Sequence, residues 1–168
     1  NANSVSEFFD IRGVGTFSNY RFEARNMVIN GTGDIGDFDG IGYATFEDVW
    51  FVNPNNGLDW SSSNSLNDLT WRNVRVGGGY TTALNLGTNT WDVINIEGCE
   101  FNNASATNHI IVAASSANLN SGKTGLITNS RFDDGATNIA NGLDPGDLRW
   151  RVSTCLNLAD TKKNAQGY

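Results

Sequence analysis

The sequence predicts an all-β fold, a parallel β-helix, and three observations support this prediction. A six-residue pattern recurs along the chain, β-branched and aromatic residues dominate the apolar positions, and no stretch shows a sustained apolar stripe at helical spacing. In a parallel β-helix each strand pairs with its equivalent in the next coil, which accounts for a repeat of about 25 residues. An antiparallel sandwich or barrel is the alternative, but it gives no reason for one corner residue to recur at that interval.

The recurring pattern is a hexad with apolar or small residues at positions one, four and six, and with Asn, Asp or Gly at position three. Its copies are FSNYRF (17–22), FEDVWF (46–51), WRNVRV (71–76), IEGCEF (96–101) and ITNSRF (127–132). Successive copies start 29, 25, 25 and 31 residues apart. Spacing in this range is typical of a solenoid, whose units bury their apolar sides by stacking on their neighbours.

The third position of the hexad predicts a corner in the backbone. Side chains alternate between the two faces of a strand, so positions one and four face the same core only if the chain bends between them. Asn, Asp and Gly tolerate the left-handed backbone that a one-residue corner requires. We therefore predict that positions one, four and six point inward and that positions two and five point outward. The predicted corner column, in which stacked polar side chains form a ladder, comprises Asn19, Asp48, Asn73, Gly98 and Asn129.

Two further short strands are predicted in each repeat, separated by turns rich in Gly, Asn, Ser and Thr. The copies of the first are GLDWSS (57–62), TALNLG (82–87), NHIIVAA (108–114) and, less clearly, TNIANG (137–142). The second leads into the next hexad, as in NDLTW (67–71) and WDVINI (91–96). Each coil of about 25 residues is thus expected to contain about three strands.

The chain is predicted to be one domain with three parts. Residues 1–13 are predicted to be an N-terminal cap or a linker to a preceding segment, residues 14–142 the coils, and residues 143–168 a C-terminal cap or oligomerisation tail. The chain begins NANSVSEFFD, without Met, so we expect a processed product or a fragment of a longer chain.

Charge and hydropathy exclude two classes of partner. The 168 residues carry a formal net charge of −7, and the isoelectric point is about 4.5. Binding to nucleic acid needs clustered Lys and Arg, so we expect no nucleic-acid partner. The sequence has no run of 18 apolar residues, so we expect no membrane insertion.

The hexad coils, together with the tail LDPGDLRWRVSTCLNLADTKKNAQGY (143–168), resemble the β-helix segments of tail-spike, tail-fibre and head-fibre proteins of bacteriophages. The resemblance implies a right-handed, single-stranded β-helix of about five to six coils with a non-repetitive C-terminal cap. It also implies a non-enzymatic virion protein, a spike, fibre or capsid-attached knob, with a role in host-surface attachment. Pectate-lyase-like enzymes share this coil architecture, so a polysaccharide lyase or hydrolase, or a fragment of one, is an alternative. A bacterial cell-surface adhesin is a further alternative.

The acidic residues and the histidine are the candidates for catalytic or metal-binding groups. Asp34, Asp37 and Asp39 lie in GDIGDFDGIG (33–42) and are candidates for a calcium site, although the Glu that completes an EF-hand loop is missing and a glycine-rich acidic turn is the alternative. His109 is the only histidine, and its position beside IIVAA indicates a strand-edge residue rather than a catalytic base. The pair at positions 133 and 134 is interpreted as a turn. No catalytic residue and no cofactor other than calcium is predicted, which favours a protein that is not an enzyme.

Tryptophan and cysteine residues complete the candidates. Trp50 occupies an outward hexad position and Trp60 lies near the second strand, so either is a candidate to stack on a sugar ring or on a neighbouring subunit. Cys99 occupies an inward position and is expected to be a buried thiol. A disulfide with Cys155 would require the tail to fold back into the coils, so none is expected.

Oligomerisation is predicted from the two apolar end segments, VSEFFDI (5–11) and the tail from residue 144 onward. The ends of a short β-helix expose strand edges and core, which must be covered. Spike-like proteins that resemble this chain associate around a threefold axis, so the resemblance implies a homotrimer on the surface of a virion. A monomer is the alternative. Other virion proteins and a host-surface glycan are the expected partners.

Overall fold

The computed structural model describes residues 7–12, 21–39, 42–60, 68–86, 91–111, 119–133, 135–141 and 149–157. The regular structure in these ranges is entirely β-strand, and the strands form two parallel sheets. Within the same ranges, no helix is long and apolar enough to cross a membrane. The predicted all-β parallel β-helix is confirmed.

The strands of the described residues are between 2 and 10 residues long. They are β1 (Glu7–Arg12), β2 (Arg21–Asn30), β3 (Asp34–Asp39), β4 (Tyr43–Val52), β5 (Leu58–Trp60), β6 (Asp68–Arg72), β7 (Arg75–Gly77), β8 (Thr82–Asn85), β9 (Trp91–Glu97), β10 (Glu100–Asn102), β11 (Asn108–Ile111), β12 (Leu119–Thr128), β13 (Arg131–Phe132), β14 (Asn138–Asn141), β15 (Trp150–Ser153) and β16 (Leu156–Asn157).

Sheet A stacks one strand from each successive coil, in the order β1-β3-β5-β8-β11-β14, with every neighbouring pair parallel. Sheet B contains the hexads. We call its part before the hexad corner face B1, with the order β2-β4-β6-β9-β12-β15, and its part after the corner face B2, with the order β2-β4-β7-β10-β13-β16. Parallel pairing at every rung makes each residue the neighbour of its equivalent one coil away.

The inward positions of the hexads form the core, as predicted. In the four copies from residue 46 onward, the side chains at positions one, four and six are at most 1% exposed. They are Phe46, Val49, Phe51, Trp71, Val74, Val76, Ile96, Cys99, Phe101, Ile127, Ser130 and Phe132. Aromatic rings stack along the axis: the Phe101 and Phe132 rings lie 5.0 Å apart and the Trp71 and Phe101 rings lie 6.2 Å apart, and both pairs are nearly parallel. Such contacts add to the free energy of burying the rings.

The corner residues have the left-handed backbone that the pattern predicts. The φ angles are 55° at Asp48, 52° at Asn73, 64° at Gly98 and 52° at Asn129. Because Gly, Asn and Asp accept this region at low cost, the residue type at position three determines where the strand turns. The prediction is confirmed for these four residues.

Within the described residues, the corner column begins at Asn26, with φ of 52°. Ala24 pairs with Phe46 and Met27 pairs with Val49, so the hexad of this coil is ARNMVI, residues 24–29. Asn19 lies outside the described residues. The hexad pattern did not identify ARNMVI because this segment has a small residue at position one and an apolar residue at outward position five.

Both sheets extend into the segments that were predicted to be caps. At the N-terminus β1 pairs with β3, and at the C-terminus β15 and β16 continue faces B1 and B2. Thr154, with φ of 53°, takes the corner position there. The predicted boundaries at residues 13 and 143 therefore do not coincide with the ends of the sheets, and a capping role for the flanking residues stays a prediction.

The longest repeat, 31 residues from Gly98 to Asn129, contains a β-bulge in β12. Leu119 pairs with Trp91 whereas Thr124 pairs with Val93, so the register shifts between these two pairs. Gly122 within the bulge has φ of 74°, a conformation that favours glycine. Lys123, next to it, lies 3.7 Å from the Asp92 carboxylate.

Candidate functional site

The outward side of face B1 is a ladder of alternating charges. Arg25 pairs with Glu23 and Glu47, and Arg72 lies 3.3 Å from Glu47 and 3.5 Å from Glu97. These groups are exposed or half-buried, so each pair contributes little to stability. Because the charges satisfy one another, this face is not an evident site for a charged ligand.

Face B2 differs, because an aromatic side chain interrupts its outward column. Val28, Trp50, Arg75, Glu100 and Arg131 occupy equivalent positions on successive strands. Among the residues that the structure describes, the exposed large apolar side chains are Val28 at 65%, Trp50 at 44% and Val93 at 40%, and Trp50 is the one aromatic among them. The predicted outward position of Trp50 is thus confirmed.

The Trp50 indole lies over the next strand of the sheet. A Cβ atom at Gly77 of β7 would be 3.9 Å from the Trp50 Nε1, which is ordinary van der Waals contact. Gly77 pairs with Val52, so it is the diagonal neighbour of Trp50, within reach of an aromatic side chain. The absence of a side chain at position 77 leaves room for the indole there.

Two shallow hollows flank Trp50. The first, of about 260 Å³, is lined mainly by corner and inward residues of the first coils together with Arg75. The second, of about 160 Å³, lies on the other side of the indole and is lined by Arg75, Val76, Gly77, Glu100 and Asn102. Arg75 borders both hollows and lies 3.7 Å from Glu100. We call Trp50, Gly77 and these two hollows the Trp50 face.

A separate hollow, of about 270 Å³, lies on sheet A. It contains Asp37 and Asp59, which pair in register on adjacent strands, and Asn85 Nδ2 donates to Asp59 Oδ1 at 3.1 Å. Burial and, secondly, the Asp37 charge raise the pKa of Asp59 above its ordinary value. Asp59 was missed in the sequence, although its place between the inward residues Leu58 and Trp60 marks it as outward.

Two of the predicted calcium ligands, Asp34 and Asp37, line the hollow on sheet A. Asp34 Oδ1 accepts hydrogen bonds from Asn55 at 3.3 Å and from Asn56 at 3.1 Å, while Asp37 faces Asp59 one rung away. The side chain of Asp39 lies outside the described part of the structure. In that part, no three His, Cys, Asp or Glu side chains gather in a group that could hold a metal ion. The calcium site stays a prediction.

His109 is part of the core rather than a strand-edge residue. It is 0% exposed and lies in β11, between β8 and β14. Its Nε2 lies 2.7 Å from the backbone carbonyl oxygen of Asp133. Because a carbonyl oxygen can only accept a hydrogen bond, Nε2 carries the proton. Nδ1 then accepts a hydrogen bond from the Tyr80 hydroxyl at 2.8 Å. Burial lowers the pKa of His109 and raises that of Tyr80. Asp133 Oδ1 accepts from Gly135 N at 3.1 Å, as a turn residue does.

The prediction that Trp60 presents a stacking surface is wrong. Its side chain is 0% exposed and packs against Phe38 and Trp91, with ring centroids 5.5 and 4.9 Å away. The physical reason is strand alternation: Leu58 and Trp60 point inward, and Asp59 between them points outward. Trp60 therefore contributes to the core.

The two cysteines are free thiols, as expected. Cys99 is buried, and burial raises its pKa to about 12. Cys99, Ser130 and Cys155 each directly follow a corner residue, so they occupy equivalent positions on three successive rungs. Cys155 therefore lies two rungs from Cys99, with Ser130 between them. Two rungs correspond to about 10 Å, beyond the reach of a disulfide.

Comparisons with protein-family models, curated proteins and solved structures found no match to the chain. A function is therefore best inferred from the geometry of its own residues. Two regions have the shape and the chemistry of a ligand site: the Trp50 face on sheet B, and the Asp37 and Asp59 hollow on sheet A.

Proposed function

We propose that this chain is a non-enzymatic structural component of a phage virion, which attaches the particle to a host-surface glycan through the Trp50 face. The observation that supports attachment is the 44% exposed indole of Trp50 between two open hollows. An exposed ring of this kind presents an apolar surface to the C–H face of a sugar, while its polar neighbours are available to sugar hydroxyl groups.

Rigidity supports the same proposal. The two parallel sheets, the stacked aromatic core and the corner column hold successive strands in register, apart from the shift within β12. A binding side chain on such a sheet is positioned more accurately than one on a mobile loop. A β-helix of this kind suits a spike, a fibre or a capsid-attached knob.

A homotrimer on the particle is part of this proposal. Among the described strands, β1 pairs only with β3 and β2 pairs only with β4, so the first rung has one open edge in each sheet. Phe8, Phe9, Phe22, Met27 and Ile29 near this end are only partly buried. Apolar surface and an open edge together favour association of copies in a closed ring.

The test has two parts. Purified phage particles from the source of the chain should contain it at a fixed stoichiometry by quantitative mass spectrometry. The full chain should bind immobilised surface polysaccharide of the host bacterium, and Trp50→Ala should abolish that binding. Val93→Ala is the control, because Val93 is a comparably exposed apolar residue on face B1. Equal binding by both variants and the parent would contradict attachment through Trp50.

A second candidate function, glycan cleavage, is favoured by the Asp37 and Asp59 pair. Two carboxylates on adjacent strands, one with a raised pKa, are the arrangement that glycoside hydrolysis uses for an acid and a nucleophile or base. Release of reducing sugars from host polysaccharide, lost in Asp59→Asn but retained in Glu97→Gln, would support it. Glu97 is a suitable control because it is an exposed carboxylate on face B1 and lines none of the three hollows.

A further inference from the structure

We propose that the ligand of the Trp50 face is a neutral glycan, and that Gly77 acts as a positioning residue that lets Trp50 serve as a flat stacking platform for it. This inference rests on the attachment function proposed above and specifies the ligand class. It derives from two independent features of the Trp50 face, its charge and the room above Gly77.

The charges of the Trp50 face disfavour an acidic ligand. Asp48 lines the first hollow and Glu100 lines the second, while Arg75 is the cation that borders both. Arg75 is already 3.7 Å from Glu100, so its charge is partly compensated. A uronic acid, sialic acid or sulfated sugar would bring its anion towards two carboxylates in a protein whose net charge is −7.

Neutral sugars suit the same lining. Sugar hydroxyl groups can donate to a carboxylate oxygen of Glu100 and to the second carboxylate oxygen of Asp48, whose Oδ1 accepts from Asn73 Nδ2. The Asn102 amide both donates and accepts. The indole between the hollows offers an apolar surface to one ring of the chain. A neutral oligosaccharide lying across Trp50 thus finds hydrogen-bonding groups on both sides of the stacking surface.

Gly77 determines whether the indole can occupy this place. A Cβ at position 77 would lie 3.9 Å from Trp50 Nε1, so a methyl group fits but a branched side chain would displace the ring. Gly79 in the same turn region is the matched control, because the nearest atom to a Cβ there is the Pro54 carbonyl oxygen at 4.0 Å and no indole is involved. The side chain at 77 is therefore expected to affect binding through Trp50.

An interface with a second copy is the rival use of an exposed Trp. The lining of the Trp50 face combines the apolar residues Met27, Val28 and Val49 with three charged ones, Asp48, Arg75 and Glu100. Charged groups are depleted at the centre of stable subunit interfaces, so the three charged residues favour a sugar over a subunit. A fall in molecular mass on Trp50→Ala in light scattering would overturn the glycan assignment.

The experiment uses the full chain and oligosaccharides of equal length immobilised on beads: neutral hexose and N-acetylhexosamine chains on one set, and uronic-acid, sialic-acid and sulfated chains on the other. We expect at least about tenfold tighter binding to a neutral probe than to any acidic probe. Gly77→Ala should bind as the parent does, Gly77→Val should lose about tenfold or more in affinity, and Gly79→Val should bind as the parent does.

The outcomes separate the two proposals. Binding of no probe and of no host polysaccharide overturns the attachment function itself. Preference for an acidic probe overturns the neutral-glycan inference and leaves attachment standing. Unchanged affinity in Gly77→Val overturns the positioning role of Gly77. Near-ultraviolet circular dichroism of each variant verifies the fold, and if Gly77→Val is unfolded, Gly77→Thr, which is also β-branched, takes its place, with unchanged affinity again overturning the positioning role.

Discussion

Asn73 Nδ2 donates a hydrogen bond to Asp48 Oδ1 at 2.5 Å, so two corner residues that are 25 positions apart in the chain are joined across one rung. Thr154 Oγ1 makes the equivalent contact with Asn129 Oδ1 at 2.5 Å. Gly98, between these two pairs, supplies no side chain, so the ladder of side chains is interrupted there. The corner column thus combines a local backbone requirement with a contact between coils.

Replacement of Asn73 by Val should therefore destabilise the protein by about 1 to 3 kcal/mol, because a β-branched residue is strained at positive φ and cannot donate to Asp48. Asn73→Gly should cost less, since Gly accepts the backbone. Urea denaturation of both variants measures the difference. A Val variant as stable as the parent would contradict the corner.

Removal of an inward aromatic ring should cost far more than removal of an outward charge. Phe101 is 0% exposed between Trp71 and Phe132, so Phe101→Ala should cost about 3 to 5 kcal/mol. Glu97→Ala should change stability by less than about 0.5 kcal/mol, because its pair with Arg72 is exposed. Similar denaturation midpoints for the two variants would refute the inward and outward assignment.

The stability of the protein should fall as the pH drops below about 6.5, the ordinary pKa of His. Burial lowers the pKa of His109 in the folded state, so the unfolded chain binds the proton more readily, and protonation favours unfolding. Chemical denaturation of the parent and His109→Gln from pH 7.5 to 5.5 tests this. The variant should be less stable at neutral pH but should lose less stability on acidification, and equal losses would exclude His109.

Two carboxyl groups act in the opposite direction. Partial desolvation raises the pKa of Asp59, which is at the surface, and of Asp68, which is half-buried, so each is harder to ionise in the folded protein than in the unfolded chain. Their contribution to stability declines as the pH rises from below the ordinary Asp pKa through the raised value. Asp68→Asn should reduce this decline, measured as the free energy of unfolding between pH 3 and 6, and an equal decline in the variant and in the parent would contradict the role of Asp68.

The two thiols should react at different rates. Cys99 is 1% exposed, and its pKa is raised to about 12, so almost no thiolate is accessible at pH 8. Cys155 is only half-buried, although burial also raises its pKa. Peptide mass spectrometry after brief treatment of the folded protein with iodoacetamide should find Cys155 modified before Cys99. Equal labelling in the folded state, with full labelling in urea as the control, would contradict this order.

Much of the fold could be predicted because the signals are local. The residue at hexad position three and the alternation of inward and outward side chains each depend on a few neighbouring residues. The predicted corners and the predicted inward positions are therefore correct in the hexads from residue 46 onward. The first coil was placed wrongly, because ARNMVI has Ala24 at position one, where the other hexads have a large apolar residue, and Val28 at position five, where most of the others have a charged one. Here pairing with β4, and not composition, determines the corner at Asn26.

The candidate site was predicted only in part, for a related reason. The outward hexad position of Trp50 correctly predicts its exposure. The prediction for Trp60 is wrong because β5 has only three residues, too few to show the alternation of inward and outward side chains. Asp39 was grouped with Asp34 and Asp37 by proximity in sequence, yet the group of carboxylates that the sheet creates is Asp37 with Asp59. Strands that pair in register bring residues of different coils together, and their distance along the chain does not show which of them become neighbours.

The sequence by itself determined the β-helical repeat, the left-handed corners and the inward side of each hexad, since these depend on the steric properties of single residues and on strand alternation. Only the tertiary structure decided that Trp50 lies over Gly77, that Asp59 faces Asp37, and that Cys155 shares a column with Ser130. The physical reason is the register of the strands. Corner-to-corner spacings vary from 22 to 31 residues, because the coils contain bulges and turns of unequal length. The pairing of parallel strands therefore determines which residues become neighbours.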